Sequence, residues 1–356
     1  MAKILMKGNE AIAEAALRAG CRLYFGYPIT PQNEIPEYMA RRMPQVGGTF
    51  LQAESEVAAI NMVYGAAGTG KRVMTSSSSP GISLKQEGLS YIAGAELPCV
   101  VVNMVRGGPG LGGIQPAQSD YFQATRGGGH GDYRMVVMAP STVQEAAQMV
   151  VEAFDIADEY RIGVMILGDG MIGQIMEPVD FDAIDFTPYE YQVKPWATVG
   201  SGKKGGQRSV VNSLYIEPDA LEKVNARLQD KYDAITEKFT RCEHYQMADA
   251  EIALVAYGTM ARICKNAVNM ARESGIKAGL IRPQLVWPFP TAAIADAAKQ
   301  AKHIISVEMS LGQMVDDVRI AANGACPVSF FGRTGGVIPT PEEVLQAIQQ
   351  AGGTAK

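Results

Sequence analysis

Between residues 9 and 167 short apolar runs alternate with segments whose apolar residues recur at helical spacing. Residues 9–19, 31–42, 55–68, 82–94 and 143–160 read as helices, the last capped by Ser141. Residues 23–27, 49–52, 72–76, 98–105, 135–138 and 162–167 read as strands. Strands separated by helices are joined by crossovers, so this order predicts a doubly wound parallel sheet covered on both faces, an α/β domain over residues 1–184. A second alternation begins near residue 251, with strands at 252–257, 278–281, 303–307 and 328–331, and predicts a smaller α/β domain over residues 248–356. Residues 185–247 read as a connector. In it Gly200, Gly202, Gly205 and Gly206 with Lys203 and Lys204 form a polar loop, and a charged helix follows at 219–239.

The length of 356 residues suits two such domains, and 47% apolar against 19% charged residues excludes a disordered chain. A net charge of −5 without a basic stripe argues against a nucleic-acid partner. The five cysteines, Cys21, Cys99, Cys242, Cys264 and Cys326, form no C-x-x-C pair. That disfavours a disulfide framework, a zinc site or an iron–sulfur cluster ligated by this chain, and no metal ligands are expected in it. No apolar run reaches about 18 residues, and Glu10 and Glu14 interrupt the N-terminal pattern. The expectation is a cytoplasmic protein with no membrane contact.

Three glycine motifs invite a ligand and are better read as turns. Gly65 to Lys71 fits G-x-x-x-x-G-K, but Arg72 stands where a phosphate loop needs a hydroxyl, and the glycines end a helix. Gly108 to Gly113 contains G-x-G-x-x-G after a strand, yet no helix starts behind it, which leaves a flexible loop in the place where α/β sheets bind ligands. Gly168-Asp169-Gly170 lacks the downstream Asn that would complete a Mg²⁺–diphosphate site. His130, within Gly127 to Gly131, is the one histidine placed for ligand contact, and Ser76 to Ser79 read as a turn or helix cap with spare hydroxyls.

Two further segments have no joint structural explanation: Tyr27-Pro28-Ile29-Thr30-Pro31 at a strand end, and Gln52-Ala-Glu54-Ser-Glu56 at a strand-to-helix junction. Together with Asn103-Met-Val-Arg106-Gly-Gly, Gly279-Leu-Ile-Arg282-Pro283, Trp287-Pro-Phe-Pro290, the stretch from Val307 to Met314 and Gly336 to Pro341, they resemble the α subunit of the 2-oxoacid:ferredoxin oxidoreductases along nearly the whole chain. The branched-chain (2-oxoisovalerate) type is most similar and the 2-oxoglutarate type next.

The resemblance implies a thiamine-diphosphate pyrimidine-binding domain followed by a transketolase C-terminal-like domain. It implies thiamine diphosphate shared with a β subunit that carries Mg²⁺, the diphosphate site and a [4Fe–4S] cluster, with γ and ferredoxin-like δ subunits, coenzyme A, a 2-oxoacid and ferredoxin as further partners. By the same resemblance Glu56 contacts N1′ of the cofactor's aminopyrimidine, beside Pro28 and Ile29. Thr30 and Arg106 bind the 2-oxoacid carboxylate, and from its position behind the strand the loop of residues 107–119 is expected to close over it. The chemistry suits these residues: a carboxyl sharing a proton with N1′ favours the imino tautomer that activates the thiazolium, and a planar guanidinium meets a carboxylate in two parallel hydrogen bonds. Glu54 competes with Glu56, and Arg126 and Arg134 are candidate partners for the distal carboxylate of 2-oxoglutarate. A nicotinamide dehydrogenase built on the Gly108 loop and a non-catalytic scaffold subunit are the rival readings.

Overall fold

A computed structural model describes residues 3–187, 189–200 and 208–352. Its strands are β1 (Ile4–Lys7), β2 (Leu23–Gly26), β3 (Thr49–Gln52), β4 (Val73–Ser77), β5 (Cys99–Val105), β6 (Val136–Met138), β7 (Gly163–Asp169), β8 (Met176–Val179), β9 (Cys242–Tyr245), β10 (Ile252–Val255), β11 (Ala278–Pro283), β12 (Leu285–Trp287), β13 (His303–Glu308) and β14 (Val328–Gly332). Among the described residues a seven-stranded sheet runs β12-β6-β7-β5-β4-β2-β3 and a five-stranded sheet runs β14-β13-β10-β11-β9. Every pairing in the large sheet is parallel except that of β12. β5 and β7 are buried along their whole length, which is why both read as continuous apolar runs.

Helices cover both faces. The helix Gly8–Arg18 packs on Val143–Tyr160 over one face, while Glu56–Gly68 packs on Ser79–Gly94 over the other. Four local findings depart from the sequence reading. Thr142, not Ser141, caps the helix Val143–Tyr160, its hydroxyl accepting from the Glu145 N–H, while Ser141 instead binds the Glu145 carboxylate. β1 and β8 form a separate antiparallel pair. β9, at the end of the expected connector, joins the small sheet, and β12 crosses over to edge the large one. Within the connector the helix Pro218–Phe239 buries Val224, Leu228, Tyr232 and Ile235 against the large sheet's core, whereas most of the glycine–lysine loop, residues 201–207, lies outside the described residues.

The two sheets are bound together by polar groups at defined points. The Gln118 side chain donates to Tyr257 O (2.9 Å) and accepts from Met309 N (3.0 Å). Arg282, almost fully buried, grips Glu145 through both terminal nitrogens at 3.0 and 2.8 Å and donates to Glu243 at 2.7 Å. Burial would raise the Glu145 pKa, but Arg282 outweighs it and holds the carboxyl below its ordinary range.

Candidate active site

β5, β4, β2 and β3 are neighbours, run parallel and therefore end on one edge of the sheet. Arg106 follows β5, the helix bearing Gly81 follows β4, Pro28-Ile29-Thr30 follow β2, and Glu56 opens the helix behind β3. Ligands of open parallel sheets bind outside these carboxyl ends.

The structure separates the two competing acids. Glu54 is exposed, whereas Glu56 is only 6% exposed at the first position of the helix Glu56–Gly68. Ser55 caps that helix by accepting from the Ala58 N–H at 3.1 Å, so Glu56 is not needed as its cap. A Cβ on Gly81 would lie 2.7 Å from Glu56 Oε1 and 2.0 Å from Ser77 Oγ, so the glycine makes the space in which the carboxylate sits. No hydrogen bond reaches that carboxylate among the described residues, and the Ser77 and Ser78 hydroxyls beside it are buried without partners. Buried hydroxyls lacking partners are costly unless a ligand brings them. This pocket therefore fits a group that presents N–H donors, as an aminopyrimidine does.

Arg106 and Thr30 come together. The Arg106 guanidinium, 6% exposed, donates to Thr30 O (2.9 Å) and Leu111 O (3.0 Å), and its Nε is buried with no acceptor. Its backbone is clamped by Ser79, whose Oγ accepts from Arg106 N at 3.1 Å and donates to Arg106 O at 3.3 Å. The Ser79 N–H is in turn satisfied by Asn103 Oδ1 at 3.1 Å. Pro28 is exposed and Ile29 half-buried on the same loop. The 107–119 loop starts with a turn closed by Gly113 N–H to Gly107 O (2.8 Å), where a Cβ on Gly112 would come within 1.9 Å of that oxygen. Leu111 at its tip is 83% exposed.

Beside Thr30 a cleft of about 590 Å³ is lined in part by Ile114, Pro116, Met171, Ile175 and Ile338. No Lys, Arg or His belongs to its described lining. Arg126 is engaged elsewhere, paired with Asp317 and stacked on Phe122. Arg134 donates to the carbonyl of Tyr133, and exposed His130 lines a different cleft with Tyr91 and Leu214. The Asp169 carboxylate is occupied by its own chain: it caps the helix Gly170–Gln174 through Met171 N and Ile172 N and accepts from Thr259 Oγ1 at 2.9 Å. Among the described residues no group of three or more His, Cys, Asp or Glu converges to hold a metal ion, and no helix is long and apolar enough to cross a membrane.

Sequence reasoning missed Lys85. It lies on the helix Ser79–Gly94, is 0% exposed, and donates to Thr75 Oγ1 (2.6 Å) and Ser76 O (3.2 Å). The available signal was its place in the stripe Ile82, Lys85, Leu89, Ile92, where helical spacing demands an apolar residue.

Residues 14–244 match the family described as "Pyruvate flavodoxin/ferredoxin oxidoreductase, thiamine diP-bdg", and residues 250–344 match "Pyruvate:ferredoxin oxidoreductase core domain II". The chain belongs to the 2-oxoacid:ferredoxin oxidoreductase family. As an α-type subunit it is 48% identical to the ketoisovalerate oxidoreductase subunit VorB of Methanothermobacter marburgensis over 99% of both chains. It is 37% identical to the 2-oxoglutarate synthase subunit KorA of Methanothermobacter thermautotrophicus, over 96% of this chain and 97% of that one. The 2-oxoglutarate:ferredoxin oxidoreductase from Magnetococcus marinus, solved with 2-oxoglutarate, coenzyme A and succinyl-CoA bound, superposes with a TM-score of 0.85 at 25% identity. The match covers 98% of this oxidoreductase subunit and 65% of that longer chain. A split-gene transketolase, with a TM-score of 0.57 and 12% identity, shares the fold. The family match makes the subunit thiamine-diphosphate-dependent, and the relatives' designation as subunits places it in a multi-subunit oxidoreductase.

Proposed function

We propose that this chain supplies the cofactor-activating carboxyl and the 2-oxoacid-binding groups of a 2-oxoacid:ferredoxin oxidoreductase, with the branched-chain acid 3-methyl-2-oxobutanoate as its substrate. The reaction takes the 2-oxoacid, coenzyme A and two oxidised ferredoxins to acyl-CoA, carbon dioxide, a proton and two reduced ferredoxins. The observation that carries the reading is the meeting, at one edge of four neighbouring strands, of the buried Glu56, the unpartnered Ser77 and Ser78 hydroxyls and a buried guanidinium with a free Nε.

Bound thiamine diphosphate supplies the nucleophilic carbon and the electron sink for decarboxylation. Glu56, with Pro28 and Ile29 alongside, would hold its aminopyrimidine. The Glu56 carboxyl would hold or release the proton it shares with the ring, and its burial limits competition from water for that proton. Arg106, its fork braced on Thr30 O and Leu111 O and its Nε unpartnered, would meet the substrate carboxylate, with Thr30 beside it. Mg²⁺, the diphosphate site and the [4Fe–4S] cluster belong to a β subunit in this reading, with γ and ferredoxin-like δ subunits passing electrons to ferredoxin.

The greater identity to a ketoisovalerate oxidoreductase subunit than to a 2-oxoglutarate synthase subunit supports the substrate choice. So does the lining of the cleft beside Thr30: a branched aliphatic chain finds Ile114, Pro116 and Ile338, while a second carboxylate finds no cation. Ferredoxin reduction by the reconstituted complex, measured in parallel with 3-methyl-2-oxobutanoate, 2-oxoglutarate and pyruvate, tests it. The branched acid should show the highest kcat/KM, and faster turnover of 2-oxoglutarate refutes the substrate assignment.

A further inference from the structure

A buried amide needs hydrogen-bond partners, and Asn103 is a fully buried amide in the otherwise apolar strand β5. Its Oδ1 accepts from the Ser79 N–H at 3.1 Å, and its Nδ2 donates to Asp120 Oδ2 at 2.9 Å. Ser79 in turn clamps the Arg106 backbone through its hydroxyl. Asp120, Asn103, Ser79 and Arg106 therefore form one chain of hydrogen bonds that ends at the guanidinium-bearing residue of the site.

The second domain holds the other end of this chain. Asp120 follows the loop of residues 107–119, and one side chain binds the backbone on both sides of it: Gln313 donates from Nε2 to Ser119 O at 2.7 Å and accepts at Oε1 from the Phe122 N–H at 2.8 Å. Gln313 is itself fixed by Glu308, a fully buried carboxylate at the end of β13. Glu308 accepts from the Gln313, Met314 and Val315 N–H groups at 2.9, 3.0 and 2.9 Å, which satisfies the open N-terminus of the helix Met314–Ala322. Just ahead of Ser119, the Gln118 N–H donates to Met309 O at 2.8 Å. Glu308, Met309 and Gln313 all belong to the stretch from Val307 to Met314, and none of them lines the cleft beside Thr30.

We infer that Asp120 and Gln313 are positioning residues that set the affinity for the 2-oxoacid through Arg106. The second domain holds Asp120, and Asp120 holds the backbone from which the guanidinium reaches the substrate carboxylate. The inference rests on the assignment of Arg106 as the group that binds that carboxylate. A planar fork meets a carboxylate only within a narrow range of geometry, so small displacements of its backbone are felt in binding. Removing the Asp120 carboxylate takes the acceptor from the buried Asn103 Nδ2 and loosens the amide that fixes Ser79. Removing the Gln313 amide frees the backbone around Asp120, at the far end of the loop whose Leu111 O braces the guanidinium.

The test is steady-state ferredoxin reduction by the assembled complex, with 3-methyl-2-oxobutanoate and with 2-oxoglutarate, since both carry the carboxylate that Arg106 would meet. Wild type is compared with Asp120→Ala, Asp120→Asn, Gln313→Ala and Arg106→Met. Asp120→Ala and Gln313→Ala should each raise KM for the 2-oxoacid roughly 3- to 10-fold, the effect of one hydrogen bond, with kcat within about twofold of wild type. Asp120→Asn keeps an oxygen for Asn103 Nδ2 and should return KM to within about twofold of wild type. In the Arg106→Met background Asp120→Ala should add nothing, because the residue it positions is gone. Gln313 is only half-buried, so its variant carries the test if Asp120→Ala does not assemble. A wild-type KM in Gln313→Ala or in Asp120→Ala overturns the inference, and so does a further rise of KM in the double variant or an Asp120→Asn as impaired as Asp120→Ala. If Arg106→Met leaves KM unchanged, the assignment of Arg106 itself falls; if Arg106→Met raises KM while the Asp120 and Gln313 variants match wild type, only the positioning role falls.

Discussion

Gly81→Ala is a probe of the Glu56 pocket that leaves every functional group in place. The added methyl would lie 2.0 Å from Ser77 Oγ, 2.7 Å from Glu56 Oε1 and 2.9 Å from Glu56 Cγ, all shorter than atoms tolerate. Ser77 can turn away, because its hydroxyl holds no partner, so the displacement falls on the Glu56 side chain. Overpacking of this kind costs about 1 to 3 kcal/mol, and alanine in a helix returns about 1 kcal/mol relative to glycine. The net loss of stability should therefore be small. A carboxyl displaced by about 1 Å loses on the order of 10² in rate. Gly88→Ala is the internal control: on the same helix its methyl meets Ile60 at 2.6 Å, with no functional group nearby. Thermal unfolding and ferredoxin-linked turnover of the two complexes should separate, with a similar small drop in Tm for both and a loss of about 10² in kcat/KM for Gly81→Ala alone. Equal turnover in the two variants refutes the claim that Gly81 shapes a catalytic pocket.

Arg106→Lys should raise KM for the 2-oxoacid at least tenfold in steady-state assays, since one ammonium cannot replace a fork that already reaches Thr30 O and Leu111 O. Arg282→Met strands the Glu145 carboxylate between the sheets and should destabilise the chain by roughly 3 to 5 kcal/mol in urea. The Glu145 pKa is lowered from 4.5 in the folded state, so this stability is present above that value and disappears as pH falls through the folded pKa; the gap between variant and wild type should close in acid. For Lys85 the folded pKa is lowered from 10.5 to about 7, so the unfolded chain binds the extra proton between these values. Wild-type stability should rise relative to Lys85→Met across that window by roughly 1.4 kcal/mol per pH unit, and flat curves contradict the buried placement.

The large sheet was legible because its buried strands announce themselves: the apolar runs ending at Val105 and Leu167 need no partner to be recognised. β9, with the sequence Cys-Glu-His-Tyr, carries no such signal; it is held by its antiparallel register with β11 and by the ion pairs of Glu243 to Lys265 and Arg282. β1 and β8 lie more than 160 residues apart, and no local pattern encodes that pairing. At the site, alternation put Glu54 and Glu56 on one face, the apolar helix starting at Val57 favoured Glu56, and in the structure Glu56 is buried and Glu54 exposed. The Asp169 turn could be judged by its missing Asn, but its tie to Thr259 required the second sheet. Lys85 contradicts the apolar pattern around it, and its burial is settled by its hydrogen bonds to Thr75 and Ser76 rather than by any spacing in the sequence.

The central claim is that this subunit's Glu56 activates the shared cofactor, and the exchange of the cofactor's C2 proton with deuterium in the assembled complex tests it most directly. Measured by rapid quench and proton NMR with wild-type and Glu56→Gln subunits, exchange should slow by about 10² to 10⁴ in the variant, the usual contribution of a general acid–base group. Exchange at the wild-type rate, in a variant that still assembles and binds thiamine diphosphate, contradicts it.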